Sequence, residues 1–449
     1  MLPRRLAILL VLLACGWGAL ARGAEVEALL VVMGDQHSAY ERTAQFIALV
    51  DRLRLKNPDL PIAVLLDGDT QEYGNVVARR SHGAIDFEMF RALASRVPTF
   101  LNLGNHDPEF YDVAETLKRV RDTGVVPISN LRDRSTGKYF TDPAVGLKLG
   151  RIDTVLVGLT TDHLATYRVP IRPSLKPAEP VAWGREYLPR FAKQGPLIVL
   201  SHAGLEADRE LLKIVPDGTL FAGAHDHLRF VHPQGHTVYF HSGSWNSHAS
   251  LVWLRQGLGG ALRWSVEQVE LSETGAADMP MASFIQKVRR EHLKPEDLVS
   301  VGRLRAALPP GAAARFVAGA LRDAARVDAA FIGNTTFGGG LPAGEVSRLA
   351  FDACVRFDGG VFTTEIDGVR LRELVAAANQ NVNTPFEERR GDFLVAAAPE
   401  TIAPDRIYRI ATTDWGARNS ERYFGSATLS WQELPGVKLK AAAIAALQR

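Results

Sequence analysis

The stretch that decides the fold reads Thr99-Phe100-Leu101-Asn102-Leu103-Gly104-Asn105-His106-Asp107. Its apolar first half has the composition of a short buried strand, and Gly104 lets the backbone turn sharply directly afterwards. An amide, an imidazole and a carboxylate follow, and these three groups can bind a metal, move a proton and orient the proton carrier. Because the same residue types are common in ordinary loops, the meaning of this turn depends on the rest of the chain.

Short apolar runs that end in polar loops recur between residue 25 and about residue 271. The runs cover residues 28–33, 62–66, 99–103, 154–159, 196–200, 219–222 and 237–240. Between the early runs lie two apolar patterns at helical spacing, one ending before Pro58 and one before Pro98. Strands that alternate with helices predict an α/β fold with a mostly parallel or mixed sheet covered on both faces.

The composition limits the possible classes of protein. A length of 449 residues suggests two or three domains, and 46% apolar with 23% charged residues is typical of a soluble globular chain. The 52 Lys and Arg residues nearly balance the 50 Asp and Glu residues. This balance gives no reason to expect a nucleic-acid polymer or an anionic membrane surface as a partner.

The first 24 residues have the pattern of a secretory signal peptide. Arg4 and Arg5 precede an apolar run at 6–14, and Ala19-Leu20-Ala21 offers a cleavage site. The alternative is a lipoprotein signal in which Cys15 carries the anchor. Either pattern predicts a periplasmic or secreted protein, and no other segment has the roughly 20 apolar residues of a membrane span. After signal removal Cys354 is the only cysteine, and we expect it to be a small buried apolar residue.

The pattern changes after residue 271 and indicates a second region. Residues 272–301 contain good helix formers and few glycines, as expected of a connecting helix. Residues 302–449 then show a second α/β pattern. Its predicted parts are a helix at 312–325, a strand at 329–332, a glycine- and threonine-rich loop at 334–340, strands around 361–366, a helix at 369–379 and a strand at 408–412.

Five of the predicted strands in the first region end in residue types that bind metals. In chain order these residues are Asp35 and His37, Asp69, Asn105, His202, and His225 with His227. We expect them to lie together, because ligands of α/β proteins gather beyond the carboxyl ends of the strands. A pair of divalent cations would compensate so many polar groups in one cleft, and Asp69 is the natural bridging carboxylate.

A histidine at the end of one strand is by itself more often a surface residue than a metal ligand, but five such loops in equivalent positions favour metal binding. The remaining histidines are interpreted as ordinary residues, although His163 and His241 also follow strands and could line the cleft. From the residues alone, Asp35 and His37 belong to one metal and Asn105 and His202 to the other. The two histidines of the last loop are then shared between the metals in an order that spacing does not decide.

The ordered set Asp-x-His, Gly-Asp, Gly-Asn-His-Asp, a single His after a strand, and His-x-His resembles the calcineurin-like metallophosphoesterases over residues 25–271. The second α/β region and short segments of similar sequence at 238–245, 341–344 and 404–412 narrow the resemblance to the secreted 5'-nucleotidase branch. The resemblance implies an α/β fold with a β-sandwich flanked by helices in αββα layers, a connecting helix, and a smaller C-terminal substrate-binding domain. The implied boundaries are 1–24, 25–271, 272–301 and 302–449.

The resemblance also implies roles for individual residues. One metal would bind Asp35, His37, Asp69 and His227, and the other would bind Asp69, Asn105, His202 and His225. The ions would be two divalent cations chosen from Zn, Mn, Fe or Co. His106 would face the phosphoryl group and Asp107 would orient His106, while a metal-bound hydroxide attacks phosphorus.

The second domain departs from the family pattern. The loop that usually carries Asn-Gly-Gly-Ile-Arg begins at Asn334 and has no arginine in this chain. Phe357 and Trp415 stand where two aromatic residues would sandwich a nucleobase, with the equally weighted alternative that both are core residues. Arg356 or Arg418 could replace the missing arginine. Its absence argues against assuming an ordinary nucleoside monophosphate as substrate.

The sequence therefore predicts an exported, dinuclear metal-dependent phosphoesterase that hydrolyses phosphate esters of small molecules, with nucleotides as the first expectation and a role in nucleotide catabolism. Alternative substrates are cyclic nucleotides, nucleotide sugars or a thiosulfate adduct on a carrier protein. An alternative of another class is a binding protein that keeps the metals without turnover. His106 and Asp107 count against it, because a binding module needs no leaving-group acid. The oligomeric state is left open.

Overall fold

The structure is a computed structural model that describes residues 26–257 and 260–449. The predicted signal peptide and Cys15 lie outside the described residues. Within these two ranges, no helix combines the length and the apolar character that crossing a lipid bilayer requires.

Residues 26–257 and 260–270 form fourteen strands and six α-helices. The strands are β1 (Val26–Gly34), β2 (Ile62–Asp67), β3 (Thr99–Asn102), β4 (Val126–Ile128), β5 (Arg132–Asp133), β6 (Ala144–Leu149), β7 (Ile152–Thr160), β8 (Leu175–Lys176), β9 (Leu197–His202), β10 (Leu220–Gly223), β11 (Arg229–Gln234), β12 (Thr237–Ser242), β13 (His248–Gln256) and β14 (Leu262–Glu270). The helices are α1 (Thr43–Lys56), α2 (Val76–Ser81), α3 (Ala84–Ala94), α4 (Val113–Asp122), α5 (Pro180–Phe191) and α6 (Leu205–Leu212).

Twelve of these strands form two six-stranded sheets, in the orders β14-β13-β1-β2-β3-β4 and β11-β12-β10-β9-β7-β6. The central strands of each sheet run parallel, and antiparallel strands close the edges beyond β1, β7 and β12. The carboxyl ends of the parallel strands therefore share one edge in each sheet. Each of the seven apolar runs predicted from the sequence overlaps one of these strands.

The side chains of β1 show how the layers arise. Leu30 and Val32 are buried between the two sheets, whereas Leu29 and Val31 point the other way, into the core beneath the helices. This alternation is the two-residue period of a strand, and a strand that is apolar on both faces must be covered on both. The second sheet has a similar core under α5 and α6. The result is the predicted αββα sandwich.

Two helices lead into the second half of the chain, α7 (Met279–His292) and α8 (Pro295–Leu298). Although α7 lies in the predicted connecting segment, it packs on α1, α2 and α3, and Met281, Ile285 and Val288 are buried in their core. The domain boundaries at 271 and 301 remain predictions. β14 ends at Glu270, and the next strand begins at Ser300.

The second half is a smaller α/β unit. Its strands are β15 (Ser300–Leu304), β16 (Ala329–Gly333), β17 (Gly344–Ser347), β18 (Gly360–Asp367), β19 (Leu394–Ala397), β20 (Ile407–Thr413) and β21 (Gln432–Lys438). Its helices are α9 (Pro310–Ala325), α10 (Arg348–Cys354), α11 (Gly368–Ala377), α12 (Asp414–Arg418), α13 (Ser420–Phe424) and α14 (Leu439–Leu447). Five strands form a sheet in the order β19-β16-β20-β18-β21, with a separate core on each face. Cys354 is fully buried in one of these cores, as predicted.

Candidate active site

The predicted metal-ligating residues lie where the two sheets of the sandwich open at the carboxyl ends of their strands. The first sheet supplies Asp35 and His37 after β1, Asp69 after β2 and Asn105 after β3, and the second supplies His202 at the end of β9 and His225 with His227 after β10. His37 Nε2 lies 2.8 Å from His227 Nε2, and His202 Nε2 lies 3.1 Å from Asp69 Oδ2. Contacts therefore join the two sheets across the cleft.

Among the described residues, three groups place donor atoms close enough to share a metal ion. They are Asp35, His37 and His227; Asp69, His202 and His225; and His37, Asp69 and His106, with atoms within 4.8 Å of one another in each group. The first two groups agree with the division of ligands that the family resemblance implies. Asn105 lines the same cavity as His37, Asp69 and His225.

The unsatisfied atoms of the cluster fit a cation. Asn105 Oδ1 and His225 Nδ1 are buried and have no hydrogen-bond partner. Buried polar atoms without partners are rare, and atoms of this type are those that coordinate divalent ions. His202 Nδ1 lies 2.9 Å from the backbone oxygen of Asp67, which turns Nε2 toward Asp69. The described residues therefore suit a metal centre in donor type and in burial.

The backbone of the site is held in an uncommon conformation. Five of the predicted ligands have a positive φ: Asp35, His37, Asp69, His225 and His227. Non-glycine residues rarely adopt this region, and such strain concentrates at functional sites. Gly104 is needed for another reason, because a Cβ there would lie 2.2 Å from Asp69 Oδ1. The glycine of the opening stretch therefore allows the β3 loop to approach Asp69 closely.

Electrostatics favours the metal-binding form of three predicted ligands, Asp69, His225 and His227. Burial raises the pKa of Asp69, but the neighbouring imidazoles of His202, His106 and His37 lower it more, so this pKa lies well below its ordinary value. Burial lowers the pKa of His225 and of His227 well below the usual range. Carboxylate and neutral imidazole are the forms that bind metals. In contrast, burial raises the pKa of Asp35. Burial lowers the pKa of His202, but the carboxylates of Asp69 and its neighbours raise it by more.

His106 lies in the turn after β3, next to Asn105, and acidic side chains surround its imidazole ring. Its Nδ1 lies 2.6 Å from Glu109 Oε1 and 3.8 Å from Glu72 Oε2. Burial lowers the pKa of His106, but the carboxylates of Asp69, Glu72 and Glu109 raise it by more, and the result is well above the ordinary value. His106 is therefore suited to carry a proton at neutral pH.

Asp107 does not occupy the place beside His106 that the sequence predicted. Its Oδ2 accepts hydrogen bonds from the backbone amides of Gly104, at 2.6 Å, and Asp69, at 3.0 Å. Its Oδ1 accepts from the amide of Thr70, at 3.0 Å, and from the Thr70 hydroxyl. Asp107 therefore ties the β2 and β3 loops together, and Glu109 holds the imidazole. Adjacent residues of a tight turn point in different directions, whereas the residue three positions on returns to the same side.

Two further residues of the site, Glu72 and Trp245, were missed by sequence reasoning. The buried Glu72 carboxylate lies 3.3 Å from His37 Nδ1, so it orients that ring from behind. The Trp245 ring stacks on His37, with centroids 4.3 Å apart, and the Arg356 guanidinium of the second domain lies 4.3 Å from the Trp245 centroid. Glu72 and Trp245 stand near recognised motifs, but nothing in the sequence links them to His37.

A cavity of about 300 Å³ lies between the predicted metal ligands and the second domain. The first domain contributes His37, Asp69, Asn105, His106, Ala165, Thr166, His225 and His227, and the second contributes Thr335, Thr336, Phe357, Asp358, Asp392, Thr413, Asp414, Trp415 and Leu439. Phe357 is 40% exposed and its ring centroid lies 6.3 Å from that of His106. Phe357 is therefore not a core residue, whereas Trp415 is partly buried and also reaches the cavity.

The other predicted substrate-binding residues lie elsewhere. Asn334 Nδ2 donates to the backbone oxygen of Asp226 at 3.0 Å, so Asn334 supports the loop that carries His225 and His227. Arg356 and Arg418 are not among the described residues that line the cavity. Their guanidinium groups lie over Trp245 and beside Asp414, respectively.

The fold and this cluster define a class, the metal-dependent phosphoester hydrolases. The model of the calcineurin-like phosphoesterase family matches residues 28–229 of this chain. Among curated proteins, none matches the chain at a significant level. Solved structures of two-domain proteins match nearly the whole chain and confirm the predicted fold class.

Three of these structures illustrate the similarity. The 5'-nucleotidase precursor of Thermus thermophilus has a TM-score of 0.64 at 16% identity, over 94% of this chain and 96% of that one. The sulfate thiohydrolase SoxB of the same species, in complex with glycerol, has a TM-score of 0.67 at 13% identity, over 95% and 94%. The 5'-nucleotidase of Candida albicans has a TM-score of 0.63 at 11% identity, over 95% and 99%. At these identities the similarity concerns the fold.

Proposed function

We propose that this chain is an exported hydrolase of small phosphate esters that works with two divalent cations. The observation that carries the proposal is the position of His106. This proton carrier lines the same cavity as five of the predicted metal ligands. A binding protein would need the cluster but not the proton carrier. Export is inferred from the signal pattern at the start of the sequence.

The ligand assignment follows the groups of neighbouring donors. Asp35, His37, Asp69 and His227 would hold one cation, and Asp69, Asn105, His202 and His225 would hold the other. Two cations bound in this way would neutralise phosphoryl oxygens and lower the pKa of a water molecule. Nitrogen and oxygen donors of this kind suit Zn, Mn, Fe or Co, and the choice among them depends on availability.

The residues around the cations complete the reaction. His106 donates a proton to the oxygen of the leaving alcohol, and the Glu109 carboxylate beside Nδ1 stabilises the protonated ring. Glu72 fixes the His37 ring. Asp107 keeps the β2 and β3 loops at the spacing that lets the His106 backbone amide bind Asp69 Oδ1 at 2.6 Å. Both loops are thereby fixed before substrate arrives.

The second domain would hold the alcohol part of the substrate. Phe357 and Trp415 present aromatic rings to the cavity, and such rings stack on a flat group for about 1–3 kcal/mol each. This supports the prediction of a nucleotide as the first substrate to test. Cyclic nucleotides, nucleotide sugars and a thiosulfate adduct complete the panel.

The test uses purified mature protein loaded with Mn or Zn. We expect release of phosphate from p-nitrophenyl phosphate and from at least one ester of the panel, and we expect the His106→Ala variant to lose most turnover while still binding metal. Wild-type protein that binds two metal ions but hydrolyses no ester or anhydride would instead support the binding-protein alternative.

A further inference from the structure

The cavity has two walls, one from each domain. The first-domain wall would be positively charged through bound cations, whereas the second-domain wall carries carboxylates. The first domain supplies the predicted metal ligands, whose cations would attract a phosphoryl group. The second domain supplies three carboxylates, Asp358, Asp392 and Asp414. Among the described residues that line the cavity there is no lysine or arginine on either wall.

The arginines near these carboxylates compensate them only in part. Arg418 lies 3.2 Å from Asp414, but its side chain is 75% exposed, so solvent screens the pair. Arg422 lies 2.8 Å from Asp392 and 3.8 Å from the buried Asp226, so one guanidinium serves two carboxylates. The second-domain wall therefore keeps an excess of negative charge.

The hydrogen-bond donors to Asp358 are neutral backbone amides, whereas Asp392 and Asp414 each pair with an arginine. Asp358 Oδ1 accepts from the backbone amides of Gly359, at 2.9 Å, and Lys440, at 3.0 Å. The Lys440 ammonium group pairs with Asp352 instead, at 2.6 Å. Asp358 directly follows Phe357, so an aromatic ring and a carboxylate lie side by side at the cavity wall.

Aromatic faces combined with carboxylates form the surroundings that organic ammonium ions prefer in proteins. A second phosphate group would meet the opposite situation, because it would face carboxylates and no cation. The loop at 334–340 agrees with this, since it lines the cavity with the uncharged side chains of Thr335 and Thr336.

We infer that the preferred substrate is a phosphomonoester whose alcohol part carries an organic ammonium group. The inference rests on the proposed function and specifies its substrate class. In the reaction, water supplies the oxygen of the new bond to phosphorus, and the bond between phosphorus and the alcohol oxygen breaks. The alcohol leaves with a proton from His106, so the products are an amino alcohol and inorganic phosphate.

The experiment compares two esters that differ in charge but not in shape. Phosphocholine carries a quaternary ammonium group, and 3,3-dimethylbutyl phosphate has a carbon atom in place of the nitrogen. With the manganese-loaded enzyme we expect kcat/KM to be about tenfold higher for phosphocholine. AMP should lie between the two esters, and ADP should be the poorest substrate of the set.

Variants then test which residues make the enzyme prefer the ester with an ammonium group. Asp358→Asn combined with Asp414→Asn should reduce the ratio of the two kcat/KM values to near one, and each single variant should reduce it in part. The matched control is Asp405→Asn, which removes an exposed carboxylate outside the cavity and should keep the wild-type ratio.

The outcomes separate this inference from the proposed function. A wild-type ratio at or below one overturns the inference, and so does a high ratio that survives the double substitution. In both cases hydrolysis of p-nitrophenyl phosphate would leave the proposed function standing. Absence of hydrolysis for every ester, in protein shown to hold two metal ions, would contradict the proposed function itself.

Discussion

The two walls of the cavity differ in how they are built. On the first-domain wall the predicted ligands stand at strand ends, and a shift of one residue would turn a side chain away from the cluster. On the other wall the lining residues come from segments around 335, 358 and 392, from the end of β20 and from the starts of α12 and α14. A metal centre dictates donor type and position, whereas a wall that recognises an alcohol can change with the substrate. The difference indicates where the chain is constrained and where it is free to specialise.

Removal of the metals should have the largest effect. If the first-domain wall acts through bound cations, treatment with a chelator should lower phosphate release by more than about a thousandfold, because several kcal/mol of charge stabilisation is lost. Readdition of Mn or Zn should restore it. Metal content by atomic absorption and phosphate release by colorimetry provide the check. If protein shown to be free of metal keeps its activity, the first-domain wall does not act through bound cations.

Substitution of His106 by Asn should have the next largest effect. Loss of a positioned proton donor should reduce kcat by about 10²- to 10⁴-fold, while both metal ions stay bound. The control is His236→Asn, since His236 is an exposed imidazole that lies 2.7 Å from Asp217. A His106→Asn variant with wild-type kcat would assign the proton transfer to another group.

The sequence could predict the positions of residues at strand ends, but not contacts that depend on how loops fold and domains pack. The expected proximity of His37, Asp69 and His202 agrees with the structure, because a strand followed by a glycine or a polar loop has a defined direction. Their role as metal ligands stays a prediction. Glu109 was missed because its contact with His106 depends on how the turn folds back around Pro108. β14 was missed because Trp264 is its only buried side chain and three of its nine residues are charged. Arg356 lies in a loop with no local pattern, and only the packing of two domains brings it to Trp245.

Glu109 and Asp107 offer a direct test of the correction to the site. Glu109→Gln removes a carboxylate that raises the pKa of His106, so that pKa should fall. His106 acts in its protonated form, so the alkaline limb of the kcat profile should move to lower pH, with kcat about 10- to 100-fold lower. Measurement of kcat from pH 5 to 10 on manganese-loaded protein shows the shift.

Asp107→Asn is the matched variant, because it changes a neighbouring acid that does not hold the imidazole. It should leave the alkaline limb in place and lower the free energy of unfolding by about 1.5–3 kcal/mol, because charge-assisted hydrogen bonds to three backbone amides are lost. Thermal unfolding of the metal-free protein measures this change. A shift of the limb in Asp107→Asn, and none in Glu109→Gln, would restore the role first predicted for Asp107.

The smallest expected effect tests whether the two walls are independent. Arg356 belongs to the second domain, yet it lies over Trp245, which stacks on His37 and meets His227 edge-on at 5.4 Å. Arg356→Met keeps the volume but removes the cation, so the rings should lose part of their support. A buried cation–π contact is worth about 2 kcal/mol. If a part of that energy holds His37, metal affinity should fall by about three- to tenfold.

Calorimetric titration of the metal-free protein with Mn measures this affinity, and tryptophan fluorescence reports the surroundings of Trp245. Arg356→Lys, which keeps the cation, should recover most of the affinity, and Arg418→Met should match the wild type because that side chain is exposed. A structural defect would instead lower the melting temperature of the metal-free protein in both Arg356 variants. Unchanged affinity in Arg356→Met would mean that the first-domain wall forms its metal site alone, and that the second domain contributes only to the choice of substrate.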